Sequence, residues 1–78
     1  MESVSLVGID LAKNVFHIHG IDAHGRSVIE KQLRRPQLMR WATQLPATTI
    51  AMEACSGAHF WGRQFIELGH KVRLISAQ

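Results

Sequence analysis

The stretch LVGIDLAKNVFHIHGID, residues 6–22, contains two apolar runs that follow each other closely. The first run, residues 4–10, is apolar almost throughout, which is typical of a strand buried on both faces. The second run, residues 14–21, is typical of another strand. The stretch therefore predicts two consecutive strands. It leaves one acid, Asp10, at the end of the first strand, where a carboxylate is costly unless something pairs with it.

Turn and helix signals divide the rest of the chain. The sequence DAHG, residues 22–25, is typical of a short turn between strands. Pro36 opens a first helix and Pro46 ends it, while Ser56 and Gly69 are the candidate N-cap and C-cap of a second helix. The predicted strands are residues 4–10, 14–21, 27–34, 48–53 and 71–75, and the predicted helices are residues 36–45 and 57–68.

The order of these elements, β-β-β-α-β-α-β, predicts a mixed α/β sheet. Three leading strands form an antiparallel meander, and the third, the most polar, is expected near an edge. Each later strand follows a helical crossover, which makes it parallel to the first strand. This arrangement fits the first part of a ribonuclease H-like fold.

Length and composition narrow the class of protein. The chain has 78 residues and a net charge of +3, enough for one small domain that buries about 60–65% of its unfolded surface. The mild basic balance is compatible with a polyanionic partner. One cysteine, Cys55, excludes an intrachain disulfide and suits a reducing compartment. No apolar stretch approaches the ~20 residues of a membrane span, and no signal peptide opens the chain, so a cytoplasmic protein is expected.

Two acids, Asp10 and Glu53, each end an apolar strand. If the two strands are parallel neighbours, both carboxylates emerge at the carboxyl edge of the sheet, where open α/β sheets place their ligands. Neighbouring strands lie ~4.8 Å apart, so the two side chains are able to share one divalent ion such as Mg²⁺. The alternative is a pair of ordinary exposed carboxylates at strand ends. The sequence does not favour either interpretation over the other.

A basic cluster surrounds the first helix start. Arg34, Arg35 and Arg40 lie close to Trp41, a combination that suits phosphate contact and base stacking. Lys13, three residues after Asp10, is a further candidate for phosphate contact, and an ordinary exposed loop lysine is the other interpretation of it. The alternative is a solvated helix start with Trp41 in the core, and Trp41 does fall on the apolar stripe of the helix.

Other polar residues receive weaker assignments. His17 and His19 share one strand face, but no third ligand completes a zinc spacing, so solvent-facing or helix-packed histidines are favoured. Ser56 lacks the surroundings of a nucleophile and is favoured as an N-cap. Cys55 is expected to be a small buried residue.

With these residues in hand, the chain resembles a known family. The segments VGIDLAKNVFHIHGIDAHG and AMEACSGAHFWGRQFIELGHKVRLISAQ, and the spacing between them, resemble the N-terminus of DEDD-type insertion-sequence transposases. These are mobile-element recombinases guided by a bridge RNA. The combination of GIDLAK, MEACSG and LGHKVRLIS is far more restrictive than either acid alone, and the resemblance covers essentially the whole chain.

The resemblance implies a RuvC-like, ribonuclease H-like domain that uses Mg²⁺, DNA and a guide RNA. Asp10 matches the first member of the acidic tetrad of the family and Glu53 the second. The last two members and the domain with the catalytic serine find no match here. The resemblance therefore implies an N-terminal, truncated part of a transposase, inactive on its own.

Two other classes of protein stay open. The ATP-binding half of a sugar kinase or actin-like fold also begins with GID and a hairpin, but it needs a Gly-, Ser- or Thr-rich loop where this chain has LAKN. The second alternative is a non-catalytic assembly module. Apolar sheet surface left exposed would favour a homo-oligomer.

Overall fold

The structure, a computed structural model, describes residues 4–11, 14–55 and 57–76. They form five strands and two helices in the order β-β-β-α-β-α-β. The strands are β1 (Leu6–Leu11), β2 (Val15–Ile21), β3 (Ser27–Arg34), β4 (Thr49–Glu53) and β5 (Lys71–Ile75), and the helices are α1 (Arg35–Gln44) and α2 (Ala58–Glu67).

All five strands belong to one mixed sheet in the order β3-β2-β1-β4-β5. The pairs β1–β2 and β2–β3 are antiparallel, whereas β1–β4 and β4–β5 are parallel. The predicted mixed α/β sheet with a leading meander and two helices is confirmed, and polar β3 does lie at an edge. The connections from β3 to β4 and from β4 to β5 run in the same direction across the sheet, so crossovers of one hand place both helices on the same face.

The turn between β2 and β3 is built by the predicted residues. The side-chain Oδ1 of Asp22 accepts hydrogen bonds from the backbone N–H of His24 at 2.8 Å and of Arg26 at 3.0 Å. Gly25 has φ +81°, a conformation that a side chain disfavours. The strand pair next to this turn has a register shift at Gly20 and Ile21, where β3 carries one extra residue.

The helix ends follow local rules. At the start of α1, Gln37 Oε1 accepts a 2.9 Å hydrogen bond from the Arg34 N–H, and Pro36 occupies the first turn. After α2, Gly69 has φ +96°, its N–H donates to the Ile66 carbonyl, and the His70 N–H donates to the Phe65 carbonyl. This is a Schellman ending, so the predicted C-cap is confirmed.

The core lies between the two helices and one face of the sheet. Its largest fully buried side chains include Phe16 and Ile18 of β2 and Phe65 of α2. Trp61 joins them, with its ring centre 5.5 Å from that of Phe16 and 5.7 Å from that of Phe65. The other buried hydrophobic residues are Val7, Ile9, Leu38, Ala42, Ile50, Met52 and Ala58. Trp41 is half-buried against this core, as its place on the apolar stripe predicts.

One polar side chain, His70, is buried beneath the amino ends of the parallel strands. Its Nδ1 accepts a 3.2 Å hydrogen bond from the Thr48 N–H, and its Nε2 lies 2.9 Å from the Ala42 carbonyl oxygen. Because an amide N–H is only a donor, the ring carries its proton on Nε2 and donates it to Ala42. His70 therefore ties the end of α1 to the start of β4.

Cys55 is exposed, so the expectation of a buried cysteine was wrong, because β4 ends at Glu53 and the chain leaves the core there. The predicted N-cap, Ser56, lies outside the described residues. Within the described ranges, no helix combines the length and the apolar character that crossing a bilayer requires.

Candidate functional site

The face of the sheet opposite the helices carries the two candidate acids. Along β1, Val7 and Ile9 are buried toward the helices, so Gly8 and Asp10 face the other way. Along β4, Ile50 and Met52 are buried, so Ala51 and Glu53 share the second face with them. Both helices pack on the first face, and we call the second one the open face. Its polar side chains are therefore reachable from solvent.

Asp10 and Glu53 are brought together by the parallel pairing of β1 with β4. Ile9 pairs with Met52, and both acids follow one residue later, so they stand side by side at the carboxyl edge. Strand neighbours are ~4.8 Å apart, which is a separation that one divalent ion bridges between two carboxylates. Both residues are exposed, so neither carboxylate carries the cost of burial.

The histidines of β2 lie on the same open face. The antiparallel register pairs Asp10 with His17 and Gly8 with His19. His17, Asp10 and Glu53 therefore form one row across three neighbouring strands, and Glu53 pairs in turn with Ile75 of β5. The solvent-facing interpretation of His17 and His19 is confirmed, but their position directly beside Asp10 did not emerge from the sequence.

These side chains line an open depression of about 660 Å³. Gly8 and Ala51 form its floor, which is shallow because neither residue has a long side chain. Asp10, Glu53, His17 and His19 surround the floor, and Ile75 with Ser76 close the side at β5. The depression therefore offers carboxylate oxygens and imidazole nitrogens above a flat backbone surface.

The chemistry of this group of donors fits a hard divalent cation in part. Carboxylate oxygens are preferred ligands of Mg²⁺, which keeps several waters and needs only one or two protein carboxylates. Across residues 4–11, 14–55 and 57–76, no three His, Cys, Asp or Glu side chains converge tightly enough to hold an ion by themselves. A cation held by Asp10 and Glu53 would thus take its remaining ligands from water or from a bound anion.

The predicted basic residues that the structure describes, Arg34, Arg35 and Arg40, lie outside the depression. Arg34 ends β3 and Arg35 begins α1, both exposed at the same carboxyl edge as the two acids. The Arg35 guanidinium lies 5.9 Å from the ring centres of both Phe16 and Trp61, on the helix side of the sheet. Arg40 is exposed five residues further along α1, rotated about 140° around the helix axis from Arg35. Lys13 lies outside the described residues.

The sequence did not predict that His17 lies next to Asp10. The register that sets His17 beside Asp10 follows from the pairing of Leu11 with Phe16 across the tight link between β1 and β2. The shortness of that link is the signal that predicts the pairing, because a hairpin connection of few residues allows few registers.

Comparison with known proteins adds a consistent set of relatives, although no family model matches the chain. A probable family 20 transposase of Pseudomonas aeruginosa is 50% identical over 76 residues, which are 97% of this chain and 22% of the relative. A transposase for an insertion sequence element of Yersinia enterocolitica is 47% identical over 78 residues, 100% of this chain and 23% of the relative.

A third relative, a transposase for an insertion sequence element of Coxiella burnetii, is 36% identical over 78 residues and is covered to 21%. The chain thus spans about a fifth of the length of the curated relatives it matches. Along essentially its whole length, the chain is similar to a part of proteins that are named as transposases of insertion sequences.

Proposed function

We propose that this chain is the part of an insertion-sequence transposase that supplies Asp10 and Glu53 to a Mg²⁺-dependent DNA-cutting site. The observation that carries the proposal is the side-by-side placement of the two carboxylates on the open face, at the carboxyl ends of parallel β1 and β4. The transposase names of relatives 36–50% identical over nearly the whole chain supply the reaction class.

The fold supports the same proposal at a coarser level. A five-stranded mixed sheet in the order β3-β2-β1-β4-β5, with both helices on one face, is compatible with the ribonuclease H-like, RuvC-like domain that the sequence resemblance implies. In such a sheet the ligand is expected at the carboxyl ends of the strands, which is the edge where the open depression lies.

Asp10 and Glu53 would hold Mg²⁺ through their carboxylate oxygens, with His17 and His19 at the border of the site. When bound, the ion would supply charge neutralisation and activation of oxygen nucleophiles for phosphodiester cleavage. The chain also contributes the shape of the site, because the flat floor at Gly8 and Ala51 leaves room for a phosphate group to approach the two acids.

The described residues contribute two carboxylates, so we propose that further ligands come from DNA phosphate, water or other parts of a longer protein. On that basis the 78-residue chain alone is predicted not to cut DNA. The partners of the proposed complete protein are DNA and, from the sequence resemblance, a guide RNA. Arg34, Arg35 and Arg40, with Lys13, are the candidate contacts to these polyanions.

The test is a chimaera. This chain replaces the matching region of the Pseudomonas aeruginosa relative, which is 50% identical to it, and excision of a marked element is measured. We expect excision to fall to background when Asp10→Asn or Glu53→Gln is introduced. The matched control is Glu67→Gln, an exposed acid at the end of α2, which should leave excision unchanged. Full excision by the Glu53→Gln chimaera would contradict the proposal.

A further inference from the structure

Phe60 is an aromatic residue that the core does not use. It lies in the first turn of α2, off the stripe formed by the buried residues Ala58, Trp61 and Phe65, and 47% of its surface is exposed. Its ring meets the buried Trp61 edge-on, with the two ring centres 5.4 Å apart. The indole thus holds the Phe60 side chain from one side and leaves the other side of the phenyl ring to solvent.

Arg35 reaches the same indole from the neighbouring helix. Its guanidinium lies 5.9 Å from the Trp61 ring centre and 5.9 Å from that of Phe16, which is within the range of cation–π attraction. Arg35 is exposed, so its N–H groups are available to a ligand while two aromatic rings fix the position of the side chain. Phe60 and Arg35 therefore both contact one buried ring, from the starts of α2 and α1.

The two helices that carry these residues hold no acid before Glu67. Neither helix has an acid in its first turn, residues 31–52 and 54–66 contain no acid at all, and both helix starts add partial positive charge. Arg63 is exposed one turn after Phe60, on the same side of α2. We call Arg35, Phe60 and Arg63 the arginine–phenylalanine patch. It lies on the helix side of the sheet, whereas Asp10 and Glu53 lie on the open face.

We infer that the arginine–phenylalanine patch binds single-stranded nucleic acid, with an unpaired base stacked on Phe60 and adjoining phosphates on Arg35 and Arg63. An exposed aromatic ring with cations nearby fits a single strand because every unpaired base offers a π-face and every nucleotide a negative charge. A duplex keeps its bases stacked on each other and would leave Phe60 without a partner. The inference concerns a second surface of the chain. It rests on the proposed function in one respect, which is the expectation that the chain binds nucleic acid.

The experiment measures fluorescence anisotropy of labelled oligo-dT and oligo-rU of about 12 nucleotides, a length within the usual footprint of such sites. The 78-residue chain is titrated in the presence of EDTA, so that binding does not depend on a metal at Asp10 and Glu53. We expect Phe60→Ala and Phe60→Leu to weaken binding about 5- to 100-fold. Phe60→Tyr, which keeps the ring, should retain the affinity of the parent chain.

Arg63→Ala should weaken binding and lower the salt dependence by about one counterion, because one phosphate contact is lost. The matched control is Ile66→Ala on the same helix, an exposed apolar residue at 58% that lies outside the patch and should change nothing. Phe60 is exposed, so its variants are expected to fold, and circular dichroism checks this.

Three outcomes would overturn the inference. They are parent-like affinity of both Phe60→Ala and Phe60→Leu, an equal loss of duplex and single-strand binding in those variants, and absence of single-strand binding by the parent chain. In the last case, self-association that Phe60→Ala abolishes would mark the patch as a protein interface. Failure of the metal site at Asp10 and Glu53 would leave the EDTA result untouched, so the two proposals fail separately.

Discussion

The two faces of the sheet are made by alternate residues of the same strands, yet they differ in almost every property. On the helix-covered face, Val7, Ile9, Ile50 and Met52 are buried in a common core. One residue away in each strand, Asp10 and Glu53 are exposed on the open face. The covered face holds the fold together, and the open face carries groups that stability does not require.

This division has a physical consequence for function. Side chains on the open face can change without opening a cavity in the core, so carboxylates placed there are free to serve a ligand. The strand pairing that the core enforces still fixes their positions, because a slip of one residue would bury Asp10 and expose Ile9. The covered face therefore acts as the scaffold that aligns the two acids.

The largest expected difference between the faces is in stability. Phe65→Ala, on the covered face, should lower the free energy of unfolding by about 3–5 kcal/mol, because it leaves a cavity beside Trp61. In a domain this small, that loss is enough to unfold most molecules at room temperature. His19→Ala on the open face should change the free energy of unfolding by less than about 0.5 kcal/mol. Urea unfolding measures the free energy of unfolding of both variants. Equal losses of this free energy would contradict the predicted difference between the two faces.

A smaller effect is expected at His70, the polar residue under the covered face. His70→Ala removes the acceptor of the Thr48 N–H, and it leaves the Ala42 carbonyl with only the 3.3 Å hydrogen bond from the Leu45 N–H. Leaving the Thr48 N–H without a partner should cost about 1–3 kcal/mol. His24→Ala, in an exposed turn, is the matched control and should be close to neutral. Thermal unfolding distinguishes the two, and a neutral His70→Ala would show that water replaces the ring.

The open face is also the expected surface for self-association. Ile75 is 56% exposed there, beside Glu53, and an unpaired apolar residue at an edge strand favours contact with another chain. We predict that the chain forms dimers or larger species and that Ile75→Lys shifts it toward monomer. Light scattering over a range of concentrations measures this. A parent chain that stays monomeric at high concentration would count against the prediction.

The smallest change in stability is expected from the acids themselves. Two carboxylates side by side repel each other, so Glu53→Gln should raise the free energy of unfolding slightly, by about 0–1 kcal/mol. The same substitution should weaken Mg²⁺ binding at least about tenfold if both carboxylates are ligands. Calorimetry of Mg²⁺ binding and urea unfolding of one preparation give both quantities. A large loss of stability would mean that Glu53 is a structural residue.

The sequence predicted the elements of the fold well where the signals are local. The turn at residues 22–25 and the C-cap at Gly69 depend on side chains and glycines next to them, and both formed as expected. Strand alternation also predicted that His17 and His19 share one face of β2, as the structure shows. It did not reveal which face the two helices cover, because that depends on the direction of both crossovers across the sheet.

Of the residues that line the depression on the open face, the sequence predicted only the two acids as site residues. Asp10 and Glu53 follow from apolar runs that end in an acid, which is a local pattern. The row that adds His17 depends on the register between strands, and the exposure of Cys55 and Phe60 depends on where a strand ends and how a helix is rotated. These are properties of packing between elements, and the sequence of one element does not contain them.

The central claim is that Asp10 and Glu53 together hold a divalent cation on the open face. The most direct test is an NMR titration of the ¹⁵N-labelled chain with Mn²⁺, which broadens amide signals close to a bound ion. We predict selective broadening at the carboxyl ends of β1 and β4, lost in Asp10→Asn and in Glu53→Gln and kept in Glu67→Gln. Broadening that is centred elsewhere, or that persists when both acids are replaced, would contradict the claim.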